Sequence, residues 1–200
     1  MRRPLAHAAV LVAGLAVVAT PLASASAADG YQLKPRAARF VGTEYKPLGG
    51  GGAAKASWTT ATAYSGSYSV QLTKSVPTPD AAAAVIDVTG VEGMTIADLG
   101  DLSMDVKGAC TNGSPRFNLA YDSNDDGIAD GTAFYGCGNH VSGVDGDWVH
   151  VSVDTVSEDN GLVVDPTWTV VDLGIVRDET GTSYVDNVGF AGQVIGEPGR

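Results

Sequence analysis

The sequence predicts an all-β chain folded as an antiparallel β-sandwich. Three observations carry this. Apolar and polar residues alternate with period two in one segment after another, which marks strands buried on one face. Helical periodicity is nearly absent, so the long crossover helices that a parallel sheet needs are missing. The 26 glycines fall largely between the alternating segments, where turns require them.

The first element is a leader. Arg2 and Arg3 precede the apolar run Ala8–Val18, and small residues follow at Ala23–Ala28. A charged start, a short greasy segment and an A-x-A exit read as a secretory signal peptide cleaved after Ala27. The run is too short for a comfortable membrane span, and Pro21 soon follows it. The expected division is a signal peptide, 1–27, and one secreted domain, 28–200. Roughly 170 residues suffice for a single hydrophobic core.

Strand candidates then follow in order. "ARFVG" (38–42) and "ASWTTA" (56–61) are separated by "KPLGGGGAAK", which reads as a loop between the first strands. "YSVQLTK" (68–74) points Tyr68, Val70 and Leu72 one way and Ser69, Gln71 and Thr73 the other. "DAAAA" (80–84) can open a short helix or lead into the strand "AVIDVT" (84–89). "TIADL" (95–99) offers a single helical turn capped by Thr95. "LSMDVKG" (102–108), "RFNLAYD" (116–122) and "WVHVSVD" (148–154) alternate cleanly, and "TAFYGC" (132–137) lies among them. "WTVVDLGIV" (168–176) and "YVDNVGFAGQVI" (184–195) close the chain.

Charge narrows the partners. The formal net charge is -11, and losing Arg2 and Arg3 with the leader takes it to -13 (-11 less 2). Nucleic acid and anionic membranes need clustered Lys and Arg, so both are excluded as expected partners. The only cysteines are Cys110 and Cys137. In an oxidising compartment an isolated pair is most simply a disulfide, here contributing roughly 3–4 kcal/mol through loop closure.

The sharpest chemical signal is "DSNDDGIADG" (122–131), with four Asp and one Asn in ten residues at the tip of the hairpin 115–137. Such carboxylates repel one another unless a cation sits among them. Asp122, Asn124 and Asp126 alternate, Gly127 provides a bend, Ile128 offers a backbone carbonyl, and Asp130 follows. This begins like an EF-hand loop, but position twelve is Ala133 rather than a bidentate Glu, and no helices flank it. It resembles the shorter D-x-D-x-D-G-x-x-D loops of thrombospondin type 3 repeats, which implies calcium of modest affinity. The competing expectation is an ion-free turn rich in Asp, Asn and Gly.

Longer segments carry a second resemblance. "TIADLGDLSMDVKGAC", "TNGSPRFNLAYD", "GC" and "DWVHVSVD" resemble secreted actinobacterial β-sandwich proteins of unassigned function. More loosely, "AYSGSYSVQLTK" and "TSYVDNVGF" are similar to an early strand pair and the closing strand of jelly-roll carbohydrate-binding modules. The resemblance implies a jelly-roll-like sandwich and a carbohydrate partner. It assigns no contact residues, because no single module family's binding motif is matched.

Sugar rings stack their C–H faces on aromatic side chains while amides, carboxylates and Arg bond the hydroxyls. On that ground Trp148 and His150, on the polar side of one strand, are ligand-binding candidates, with Arg116 and Asn118 on the polar side of another. Tyr135 depends on register, and Trp58 and Trp168 read as core. No H-E-x-x-H or G-x-S-x-G occurs, although a carboxylate pair among 23 acids leaves glycoside hydrolysis open. The leading expectation is a secreted non-catalytic module that binds carbohydrate or a cell-surface polymer. The alternatives are a structural domain of the cell envelope and a small glycan-active hydrolase.

Overall fold

The computed structural model describes residues 30–41, 44–48, 52–77, 80–157 and 162–199. The expected signal peptide and the middle of the glycine-rich loop lie outside these. Among the described residues, thirteen strands, one α-helical turn and a 3-10 turn at Cys137–Asn139 make up the fold. In order they are β1 (Gln32–Val41), β2 (Glu44–Pro47), β3 (Ala54–Thr59), β4 (Ser69–Lys74), β5 (Ala82–Thr89), α1 (Ile96–Leu99) and β6 (Leu102–Gly108). Then come β7 (Arg116–Asp122), β8 (Gly131–Gly136), β9 (Val141–Asp145), β10 (Trp148–Val153), β11 (Thr169–Arg177), β12 (Gly181–Phe190) and β13 (Gln193–Ile195).

The strands form two antiparallel sheets. The first has the order β2-β1-β5-β11-β7-β8; the second has β3-β4-β12-β6-β10-β9, with β13 added to β12. This is an antiparallel sandwich of jelly-roll type. Its core lies between the inner faces, where period two places the apolar set of each strand. Ile86, Leu173, Phe117 and Leu119 come from the first sheet, and Leu72, Met104, Val106 and Val151 from the second. Burying an aliphatic or aromatic side chain of this size is worth about 1.5–3 kcal/mol.

The faces expected for β7 and β10 are observed: Phe117 and Leu119, and Val151 and Val153, are buried against the opposite sheet. Tyr135 faces the core at 2% exposure. Thr95 caps α1 by accepting the Asp98 N–H at 3.1 Å.

Two expectations change. Residues 82–84 are not helical but open β5, with Ala82, Ala83 and Ala84 fully buried. The reason is burial on both faces. Ala84 and Ile86 face the core, while Ala83 and Val85 join Ala38 and Val176 beneath Tyr45 on the outer side. A strand covered twice loses its polar alternation. The closing segment is a hairpin rather than one strand, because Ala191 and Gly192 both take positive φ (49° and 68°) and reverse the chain. That pair of conformations suits a two-residue hairpin turn.

Cys110 and Cys137 form the disulfide, with Cα atoms 5.4 Å apart. It ties the end of the β7–β8 hairpin to the turn that leaves β6. Among the described residues, no helix is long and apolar enough to cross a membrane.

Candidate functional site

The four expected ligand-binding residues divide between opposite outer faces. Trp148 and His150 stand on the second sheet, in ladder with Lys107 and Asp105 of β6. Arg116 and Asn118 stand on the first, in ladder with Gly136 and Phe134 of β8. The sandwich lies between the two pairs.

On the second sheet, Trp148 occupies the polar side of its strand as alternation requires, yet it is only 7% exposed. The segment between β3 and β4 crosses this face and sets Tyr64 edge-on over Trp148 (centroids 5.9 Å) and His150 (5.0 Å). Buried Asp186 anchors the crossing by accepting the N–H groups of Tyr64 (2.8 Å) and Ser65 (3.0 Å). His150 Nδ1 pairs with Asp105, whose other oxygen accepts Asn187 Nδ2 at 2.8 Å. Trp148 is thereby covered by the chain itself, while His150 keeps 31% of its side chain exposed. The expectation of an exposed Trp148 is corrected: Tyr64, 38% exposed, is the aromatic that reaches solvent.

The first sheet carries a row of polar side chains on its outer face. Lys34, Asp87, Gly174, Asn118 and Phe134 are successive ladder neighbours across β1, β5, β11, β7 and β8. Gly174, itself buried, places no side chain in the middle of this row. A Cβ there would come within 3.3 Å of the Ile86 carbonyl, tighter than ordinary packing. At one end Phe134 is 51% exposed. Beside Gly174 on β11, Asp172 is exposed, yet desolvation is the largest influence raising its carboxyl, followed by Asp87 and Glu92.

Arg116 builds this face rather than waiting for a ligand. It binds Asp178 through both terminal nitrogens (2.7 Å each), Gly113 O at 2.8 Å, Tyr45 Oη at 3.1 Å and Asn118 Oδ1 at 3.0 Å. All five guanidinium N–H donors are thereby engaged. Desolvation works against its charge, but Asp178 and Tyr45 outweigh that and raise its pKa. Its carbon lies 5.4 Å from the Phe134 centroid, so it also supports that ring. Since Asn118 Oδ1 accepts from Arg116, its amide N–H groups are turned to donate elsewhere. Tyr45 is held neutral, its pKa pushed to about 12 by burial and by Asp178.

The acidic tip is a ladder of side-chain-to-backbone bonds. Asp122, 1% exposed, accepts Asn124 N (2.9 Å) and Gly127 N (2.6 Å). Asn124 Oδ1 accepts Asp126 N at 3.0 Å, and Asp126 accepts Ile128 N at 2.9 Å. Asp130 accepts the N–H (2.8 Å) and hydroxyl (2.6 Å) of Ser123. The Asn124 N–H, then other loop N–H groups, hold the Asp122 carboxyl below its ordinary range. These all-oxygen donors suit Ca²⁺ chemically, although Asp130 Oδ2 already accepts two bonds from Ser123. Among the described residues no three acidic, His or Cys groups are arranged to hold a metal.

No protein-family model and no curated protein sequence matches this chain. Solved structures similar to it include the family 11 carbohydrate-binding module of the cellulosomal cellulase Lic26A-Cel5E of Clostridium thermocellum. That likeness has 14% identity, covers 84% of this chain and 90% of the module, and has a TM-score of 0.47. A family 30 carbohydrate-binding module is similar at 15% identity, 86% and 88% coverage and a TM-score of 0.48. The CBM22-1 xylan-binding domain of Paenibacillus barcinonensis Xyn10C is similar at 15% identity, 84% and 87% coverage and a TM-score of 0.37. The strand pairing by itself defines the sandwich.

Proposed function

We propose that the protein is a secreted, non-catalytic module that binds carbohydrate, or a carbohydrate-like surface polymer, along the outer face of the first sheet. The observation that carries this reading is the ladder row Lys34–Asp87–Gly174–Asn118–Phe134, which sets polar side chains in line with an exposed aromatic at one end. Four strand spacings of about 4.8 Å make the row about 19 Å long, the span of an extended oligomer rather than one sugar. Phe134 gives an apolar face for a ring, the Asn118 amide donates, and the Asp87 carboxylate accepts. Trp148 takes no direct part, because Tyr64 covers it, and His150 is committed to Asp105.

Retention on insoluble polysaccharides, followed by titration with soluble oligosaccharides, tests the reading. Phe134→Ala is expected to weaken binding about tenfold, since stacking on an aromatic is worth on the order of 1–2 kcal/mol. Trp148→Ala, scored only in folded protein, should leave affinity unchanged. Loss confined to Trp148→Ala would move the site to the other sheet. Absence of binding to any glycan would favour the envelope-domain reading, and cleavage of one would identify a hydrolase.

Calcium at the hairpin tip belongs to the same proposal. Asp122, Asn124, Asp126, Asp130 and the Ile128 carbonyl are the donors, and they would have to close around the ion from their present turns. Binding to the folded loop alone stabilises by mass action, by about 2.7 kcal/mol at a hundredfold excess over the dissociation constant. The melting temperature should rise with millimolar Ca²⁺ and fall with chelator. Replacing both Asp122 and Asp126 with Asn should remove the response. No heat of binding up to several millimolar would leave an ion-free turn.

A further inference from the structure

We infer that the chain assembles head to tail with copies of itself through a lap joint, in which β9 of one copy lies against the β1–β2 hairpin of the next. This goes beyond the carbohydrate reading and does not depend on it. Its basis is an offset between the two sheets. β1 and β5 pack on β3, and β5 also packs on β4. Towards the other side, Tyr135 of β8 donates its hydroxyl to the Thr155 carbonyl just past β10, at 3.3 Å. With the strand orders of the two sheets, this sets β1 over β3 and β8 over β10. β2 then projects at one edge of the sandwich and β9 at the opposite edge, each by one strand spacing of about 4.8 Å.

Ladder partners share a face, so register shows what each projection presents on its core-facing side. On β9, Val144 is level with Val149 and Val141 with Val151, both of which pack in or against the core. A bulge at Ser142 keeps the two valines on this one side. They are 68% and 47% exposed, respectively. On the hairpin, Arg39 is level with the core residue Ala82 and directly opposite Lys46. Val41, two residues on, shares this side and is 47% exposed. Like charges directly opposite destabilise a ladder, and an acid brought across the joint would relieve this pair.

The two edges are complementary in charge. Asp145 on β9, Asp147 in the turn after it, and Asp126 and Asp130 at the tip leading into β8 are all exposed. The hairpin sets Arg39 and Lys46 against one acid, Glu44, and Lys55 on neighbouring β3 is exposed as well. Lapping one projection on the other covers Val141 and Val144 with Val41 and the Arg39 and Lys46 stems, while the charged heads reach the acidic rim. Pro47 has no N–H to offer an approaching strand, so side chains rather than a continued ladder make the contact. Because the two surfaces differ, every copy keeps one of each and the assembly is open-ended.

Sedimentation of the purified chain over a concentration series up to about 1 mM should show mass growing past that of a dimer. Val144→Lys spoils only the β9 surface and Arg39→Glu only the hairpin surface; both positions are exposed, so neither change reaches the core. Each variant alone should stay monomeric. An equimolar mixture should give dimers and nothing larger, since each variant supplies the surface that the other lacks. A wild type or a mixture that stays monomeric throughout overturns the inference, as does undiminished association of either variant alone. Dimers of Arg39→Glu alone, with none of Val144→Lys, would also overturn it, because β9 would then be pairing with itself.

Discussion

Replacing Asp186 with Ala is expected to destabilise the fold by about 4–5 kcal/mol and to bare Trp148 to water. Asp186 is 1% exposed and accepts three backbone N–H groups, from Tyr64 (2.8 Å), Ser65 (3.0 Å) and Asn187 (2.8 Å). A hydrogen bond to a charged group contributes roughly 1.5–3 kcal/mol, so three give the estimate at the low end of that range. One effect opposes this. Asp105 faces Asp186 across the ladder, so deletion relieves a like-charge contact. His150 and Asn187 already compensate Asp105, which makes the relief the smaller effect. Urea denaturation measures the loss, and tryptophan emission moving to longer wavelength reports the departure of Tyr64. Unchanged stability with unchanged emission would show that Asp186 does not hold the crossing segment.

How far the sequence carried can be judged residue by residue. Period two placed Phe117, Leu119, Val151 and Val153 in the core because one face of each strand meets the other sheet and the other face meets solvent. The same rule failed for Ala82–Ala84, where Tyr45 and its neighbours bury the outer face as well. It also could not find β9, an edge strand whose Val141 and Val144 are both exposed. Its pattern carries no apolar side to detect.

The candidate site was legible in part, for a definable reason. Alternation tells which side of its own strand a residue takes, but not which sheet that strand joins. Arg116 and Trp148 therefore looked equivalent until β7 and β10 proved to lie in opposite sheets. Alternation is also silent about long-range cover. Tyr64 lies 84 residues before Trp148 in the chain (148 less 64), so nothing local to either announces their contact. Gly174 was missed because a glycine in a strand reads as a weakness, whereas here its missing side chain shapes the face. Phe134 was within reach: Tyr135 pointing inward requires Phe134 to point outward, once register is known.

The second large effect concerns the disulfide, and it separates stability from binding. A variant with both Cys110 and Cys137 changed to Ala should lose roughly 3–4 kcal/mol, because the bridge closes a loop over a separation of 27 residues. Measured by urea, the midpoint should fall without a large change in native strand content. Oligosaccharide affinity of the folded variant should stay within about threefold of wild type. Phe134 is positioned by its ladder with Asn118 and by the Arg116 guanidinium, neither of which depends on sulfur. Arg116 is fixed in turn by Asp178 and Tyr45, reached from β11 and β2 rather than from the bridged turn. One contact does pass through that turn, the bond from Arg116 to the Gly113 carbonyl at 2.8 Å, and its loosening accounts for the small drop allowed. A collapse of affinity in a variant that remains folded would mean that the bridged turn, and not the strand ladder, aligns Phe134 with the polar row.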